Sequence, residues 1–185
     1  MQMEQLKKLM VDEVATIFNN INENEIASLV DEIAVAKRVF IYGLGRERLM
    51  LQAFAMRLMH LGIDVHMVGD VTTPGIKEGD LFVTSSGTGY LSTVEALLKI
   101  VKHSKARTAF MTAHPDSPLP QQAELIIKIP AQTMKDNLES RTSPQPMGAL
   151  FEQAQLLMLE MVIVLLIEKL GVTESDMEKN HTNLE

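Results

Sequence analysis

Val39-Phe40-Ile41-Tyr42-Gly43-Leu44-Gly45-Arg46-Glu47-Arg48 is a short apolar run that stops at a glycine and gives way to charge. Four apolar residues in succession read as a strand buried on both faces. Arg48 to Leu61 then carries a helical pattern closed by Gly62. The event repeats downstream. Asp64 to Val68 reads as a second strand and Asp80 to Thr84 as a third, after the turn Lys77-Glu78-Gly79. A helix follows from Ser92 to His103, then a fourth strand from Thr108 to Thr112 and a fifth from Leu125 to Ile129. Strands alternating with helices imply right-handed crossovers and a mainly parallel sheet covered on both faces, an α/β three-layer sandwich.

Upstream, Leu6, Leu9, Met10, Val14, Ile17, Phe18 and Ile21 recur at helical spacing. Asn22 to Asn24 break that helix and cap a second one carrying Ile26, Leu29, Val30 and Ile33. Downstream, Pro130 to Pro146 is a long polar loop, and Met147 to Leu170 is a long apolar helix with Pro146 suited to its first turn. That helix has the length of a membrane span, but Glu152, Gln153, Gln155, Glu160 and Glu168 interrupt it, and a buried or interfacial helix is the expectation. The polar tail after Leu170 is expected to be mobile.

Composition narrows the function classes. The 185 residues carry a formal charge of −7, which argues against general nucleic-acid binding. There is no cysteine, hence no disulfide, thiolate metal site or cysteine nucleophile, and a reducing cytoplasm fits. No apolar segment follows the lysines of the N-terminus, so no signal peptide is visible. The histidines His60, His66, His103, His114 and His181 show no metal-ligand spacing.

In open α/β sheets the ligand lies beyond the carboxyl ends of the strands, where strand order reverses. With flavodoxin-like order 2-1-3-4-5, the loops after the first and third strands face each other there. Gly43-Leu44-Gly45 lacks the third glycine of a dinucleotide fingerprint, because Arg48 stands in its place, and no P-loop motif is present. Ser85-Ser86-Gly87-Thr88-Gly89 alternates hydroxyls with glycines just before a helix. Exposed amides, the Ser86 and Thr88 hydroxyls and the helix dipole suit a phosphate monoester, and a plain Gly/Ser turn is the alternative. Glu152 stands at the head of the stripe Leu156, Leu159, Ile163 and Leu166 in the long helix. A carboxylate held between an apolar stripe and a helix N-terminus suits a general base, and equally an ordinary first-turn glutamate.

Several stretches together resemble the 6-phospho-3-hexuloisomerases of the SIS (sugar isomerase) superfamily. They are Phe54-Ala55-Met56-Arg57-Leu58-Met59-His60-Leu61-Gly62, Thr72-Thr73-Pro74, Glu78-Gly79-Asp80-Leu81, Gln145-Pro146-Met147-Gly148 with Phe151-Glu152-Gln153, and His181-Thr182-Asn183-Leu184-Glu185. The resemblance runs in one register over nearly the whole chain. It implies one SIS domain over 1–185, with N-terminal helices in 1–36, a sheet core in 37–130 and C-terminal helices in 146–185. It further implies a five-stranded parallel sheet of flavodoxin-like order, a cytoplasmic homotetramer, a small-molecule sugar phosphate as ligand, and neither metal nor organic cofactor.

The implied reaction converts D-arabino-3-hexulose 6-phosphate to D-fructose 6-phosphate. By position, Glu152 matches the catalytic base and His181 a C-terminal histidine near the site, reaching it across subunits. Gly45, Arg46 and Glu47 match substrate-contacting positions, and Ser86, Gly87, Thr88, Gly89, Tyr90 and Leu91 match the phosphate loop.

Two departures fall at the ligand. The family pattern Gly-x-Gly-Arg-Ser-Gly becomes Gly43-Leu44-Gly45-Arg46-Glu47-Arg48, with glutamate in place of a serine. The loop pattern Ser-Gly-Ser-Gly-Glu-Thr becomes Ser86-Gly87-Thr88-Gly89-Tyr90-Leu91, so Leu91 replaces a hydroxyl donor. A lost hydrogen bond to a charged group costs about 1.5–3 kcal/mol. A carboxylate beside a phosphate is repulsive unless Arg46 or Arg48 neutralises it. The expectation is a shifted substrate or weakened phosphate binding.

Overall fold

The structure, a computed structural model, describes residues 2–136 and 143–184. The elements in order are α1 (Met3–Asn19), α2 (Glu23–Val35), β1 (Val39–Tyr42), α3 (Gly45–His60), β2 (Val65–Met67), β3 (Leu81–Ser85), α4 (Ser92–His103), β4 (Arg107–Thr112), β5 (Leu125–Lys128), α5 (Ala149–Leu170) and α6 (Glu174–Asn180). The five strands are all parallel, in the order β2-β1-β3-β4-β5.

Alternation along the strands divides the core between the two sheet faces. Val39, Ile41, Leu81, Val83, Ala109 and Met111 join the cluster built by α2, α3 and α5. Phe40, Phe82 and Phe110 point the other way and meet Val94, Leu98 and Val101 of α4. Phe40 and Phe82 stand directly opposite in register, so this second face is an aromatic row under one amphipathic helix. The sheet is anchored at its lower edge by Asp80. Its buried carboxylate receives both Arg38 Nε (3.1 Å) and Arg38 Nη2 (2.6 Å), and the Lys77 amide (2.7 Å).

α5 is long and apolar enough by composition to cross a membrane, yet half of that window is buried inside this fold, against α1, α2 and α3. Phe151, Ala154, Met158, Leu159, Val162 and Leu166 are all at most 1% exposed. One side of this helix is thus core against three other helices, while Leu157, Val164 and Leu165 on the other side remain exposed.

Local chemistry moves several boundaries from their sequence-based positions. α3 begins at Gly45, three residues early, which brings Glu47 into its first turn. α5 begins at Ala149 behind Gly148, so Pro146 lies before the helix rather than in its first turn. The tail was expected to be mobile, and it instead forms α6. Gly171, with φ 65°, ends α5, and Thr173 and Asp176 then close a capping box that starts the new helix. Hydrogen bonds from Lys179 and then from Thr173 hold the Asp176 carboxyl down at about 2. Asn180 Nδ2 donates to the His60 carbonyl (3.0 Å), which docks α6 on α3. Within the polar loop, residues 137–142 lie outside the described part. Its far end is tied to α1, where Glu13 accepts from Ser143 Oγ and Gln145 Nε2, both at 2.9 Å.

Candidate active site

The order 2-1-3 puts β1 and β3 side by side, with Tyr42 opposite Thr84, so the loops leaving them meet at the switch point. Between those loops and the start of α5 lies a cavity of about 610 Å³. It is lined by Gly45, Arg46 and Glu47, by Ser86, Gly87, Thr88 and Leu91, and by Phe151 and Glu152. Eight of the eleven residues singled out from the sequence therefore share one pocket. Gly89 shapes it from behind: φ is +76°, and its Cα packs so closely on Ser117 and the His114 carbonyl that a side chain has no room. Tyr90 turns outward, 55% exposed, with its hydroxyl 3.4 Å from Glu95.

His181 does not come to this pocket within the chain. It follows α6 and stacks on His60 with ring centroids 5.1 Å apart, at a separate cavity that Arg57 and Glu160 also line. The physical reason is α6 itself, which carries His181 back along α3.

Glu152 sits one turn into α5, its side chain 13% exposed. Arg46 Nε donates to it at 2.5 Å. The Arg46 side chain is itself 65% exposed, so this pair closes the pocket's mouth rather than its floor. Gln153, beside it, donates to the Gln145 side chain (2.6 Å) and to the Ala149 carbonyl (3.0 Å). Through Gln145 the loop before α5 is fastened both to α1 and to α5, which fixes the start of the helix that carries Glu152. Met147 in this turn has φ 56°, a left-handed backbone unusual for a non-glycine residue and held here beside the pocket.

Glu47 does not reach for an arginine. Its carboxylate points inward, accepting from the Ser85 hydroxyl and from the Gly87 amide (3.0 and 3.2 Å). Arg48 is occupied elsewhere, on the Val68 carbonyl (3.0 Å) and Asp70 (3.2 Å). Burial pushes the Glu47 carboxyl up, and the nearby Glu152 charge adds to this; the Ser85 and Gly87 hydrogen bonds oppose it.

A folded-state affinity for the proton above that of the unfolded chain makes stability fall as pH rises through the raised value. Glu47→Gln removes that loss. Its melting temperature should exceed that of the wild type by a few degrees, about 2–4 °C per kcal/mol, near neutral pH. The gap should close in acid, where the native carboxyl is protonated. Paired thermal melts across pH measure this, and a gap that widens in acid would contradict it.

Sequence reasoning missed Thr133 and Met134, which line the pocket from the loop after β5. Thr133 is held by His114 Nε2 (3.1 Å) and by Asp136. Only its place after a strand's carboxyl end marks it in the sequence. Among the described residues, no group of three or more His, Asp or Glu side chains is arranged to ligate a metal ion.

A parallel 2-1-3-4-5 sheet carries a serine-glycine-threonine loop at its switch point, and a family model described as SIS domain matches residues 32–164. A relative from Methylomonas aminofaciens, named 3-hexulose-6-phosphate isomerase, is 38% identical over 99% of this chain and 100% of its own length. Another of that name, from Mycobacterium gastri, is 40% identical over 96% of this chain and 88% of its own. A solved structure from Methanococcus jannaschii, for which that molecular function has been inferred, is 30% identical with a TM-score of 0.85, covering 99% of this chain and 100% of that one. The chain belongs to the SIS-domain family and, within it, to the 3-hexulose-6-phosphate isomerases, a family of enzymes.

Proposed function

We propose that this chain isomerises D-arabino-3-hexulose 6-phosphate to D-fructose 6-phosphate, with Glu152 as the base. The observation that carries the reading is a largely buried carboxylate, Glu152, sharing one pocket of about 610 Å³ with a hydroxyl-and-glycine loop. Moving the carbonyl from C3 to C2 takes the carbon-bound proton from C2 and returns it to C3 through a cis-enediol, while the O2 hydroxyl proton passes to O3. One carboxylate can perform both transfers at carbon. Arg46, exposed beyond its contact with Glu152, is positioned to orient that carboxylate or to meet substrate oxygen. The phosphate supplies binding energy remote from the reacting carbons, which keeps the sugar in register. The step would follow a hexulose-phosphate synthase and complete formaldehyde fixation in the ribulose monophosphate pathway.

The same reading takes residues 1–185 as one unit working in the cytoplasm as a homotetramer. Support for assembly comes from exposed apolar residues on the outer helices, Met10 and Val11 of α1 and Leu157, Val164 and Leu165 of α5. His181 would then serve the pocket of a neighbouring copy. Glu47 favours a second reading, a SIS protein that handles a different phosphosugar or senses one without turnover, because it places a carboxylate on a loop suited to phosphate. A substrate panel separates the two. Conversion of the 3-hexulose 6-phosphate in preference to pentose and other hexose phosphates supports the first. Preferential conversion of another phosphosugar, or binding of one without conversion, overturns it.

A further inference from the structure

We propose that Glu47 sets the phosphate affinity of this pocket: its carboxylate occupies the Gly87 amide and the Ser85 hydroxyl as an internal anion, and a phosphate monoester takes those donors only in competition with it. The inference rests on reading this pocket as a phosphosugar site. Its basis is an inventory of donors. The Gly87 amide is given to Glu47, at 3.0 and 3.2 Å to its two oxygens, and the Ser85 hydroxyl donates to the same group. The Ser86 and Thr88 hydroxyls lie 3.3 Å apart, in contact with each other, and Thr88 Oγ1 is also 3.2 Å from the Tyr90 carbonyl. The Gly89 amide is turned back on the Ser86 carbonyl (2.9 Å). A loop whose composition suits an external anion thus has its central donors engaged within the chain.

The seat is also confined. A Cβ at Gly87 would lie 3.2 Å from the Phe151 ring and 3.4 Å from Glu47 Oε1, so both side chains close over this glycine. The charges around Glu47 do not soften the conflict. Its own helix supplies Arg46, committed to Glu152, and Arg48, committed to Val68 and Asp70. α5 supplies Glu152, a like charge. The β3–α4 loop and the loop after β5 contribute only uncharged residues to the described lining. A phosphate seated on the Gly87 amide must therefore displace or protonate Glu47. Free phosphate brings nothing else to offset that cost. A sugar phosphate meets the same cost but brings hydroxyls that can reach Arg46 and Glu152, so it binds with more contact energy in hand.

Calorimetric titration of inorganic phosphate and of fructose 6-phosphate into the wild type, Glu47→Ser and Glu47→Gln tests this, with turnover of the 3-hexulose 6-phosphate followed in parallel. Glu47→Ser is expected to bind phosphate about tenfold or more tightly than the wild type, the scale of one hydrogen bond to a charged group. Glu47→Gln, which removes the charge but keeps the bulk, should fall between. Fructose 6-phosphate should gain by a similar factor, because both ligands displace the same carboxylate, and both gains should shrink as the pH falls and Glu47 takes up a proton. Equal or weaker phosphate binding by both folded variants overturns the proposal, as does the absence of phosphate binding in all three proteins. A phosphate gain without turnover in any of the three upholds the internal anion and instead overturns the isomerase reading. Turnover with unchanged phosphate affinity does the reverse.

Discussion

Glu152→Gln is expected to lower turnover by about 10²–10⁴-fold, the range set by loss of a positioned proton-transfer group, while sugar-phosphate affinity changes by only a few fold. The amide keeps the volume and one acceptor, so Arg46 retains a partner at the pocket's mouth. What disappears is the group able to hold the proton between C2 and C3. Steady-state kinetics beside a binding titration measure both arms. A mutant that keeps its turnover would remove Glu152 from the chemistry. A mutant that loses binding and turnover equally would make Glu152 a binding residue instead.

The second large effect is expected at Gly89. Its φ of +76° already disfavours any side chain, and an added Cβ would lie 2.5 Å from Ser117 Oγ, 2.7 Å from Ser117 Cβ and 3.2 Å from the His114 carbonyl. Gly89→Ala should cost about 2–4 kcal/mol, combining backbone strain and overpacking, and should weaken phosphosugar binding because the Ser86–Thr88 turn cannot keep its shape. Ser117→Gly removes two of the three close contacts but neither the strain nor the carbonyl. The double variant should therefore recover part of the loss, a coupling that denaturant titration of the four proteins in a mutant cycle reads directly. Strict additivity would show that the steric account of this turn is wrong.

The α/β class was legible because it rests on a strong signal, short apolar runs with helical periods between them, whereas the strand order came from the family resemblance. Val39–Tyr42 and Ser92–His103 fall where their patterns put them. Boundaries governed by capping were less legible. α6 was hidden because its capping box, Thr173 with Asp176, follows a glycine stop in a polar tail and no apolar stripe announces it. The start of α5 depends on Gln145 reaching both Glu13 and Gln153, contacts across the fold that no local pattern encodes.

At the site, the meeting of Glu152 with Ser86–Thr88 followed from topology once β1 and β3 were neighbours. The direction of Glu47 did not. Its sequence neighbours Arg46 and Arg48 offered outward partners, but each is taken by an acid from another element, Glu152 and Asp70. That leaves the Gly87 amide for Glu47, and charge assignments of this kind are settled only by tertiary contacts. His181 was placed by family position, whereas the docking of Asn180 on the His60 carbonyl determines where this chain carries it.

The measurement that tests the central claim most directly is turnover of D-arabino-3-hexulose 6-phosphate by the wild-type chain, with substrate generated in place by a synthase and product read as fructose 6-phosphate. The account predicts sustained product formation that Glu152→Gln lowers by at least about 10²-fold. Folded wild-type protein yielding no fructose 6-phosphate above the uncatalysed background would contradict it.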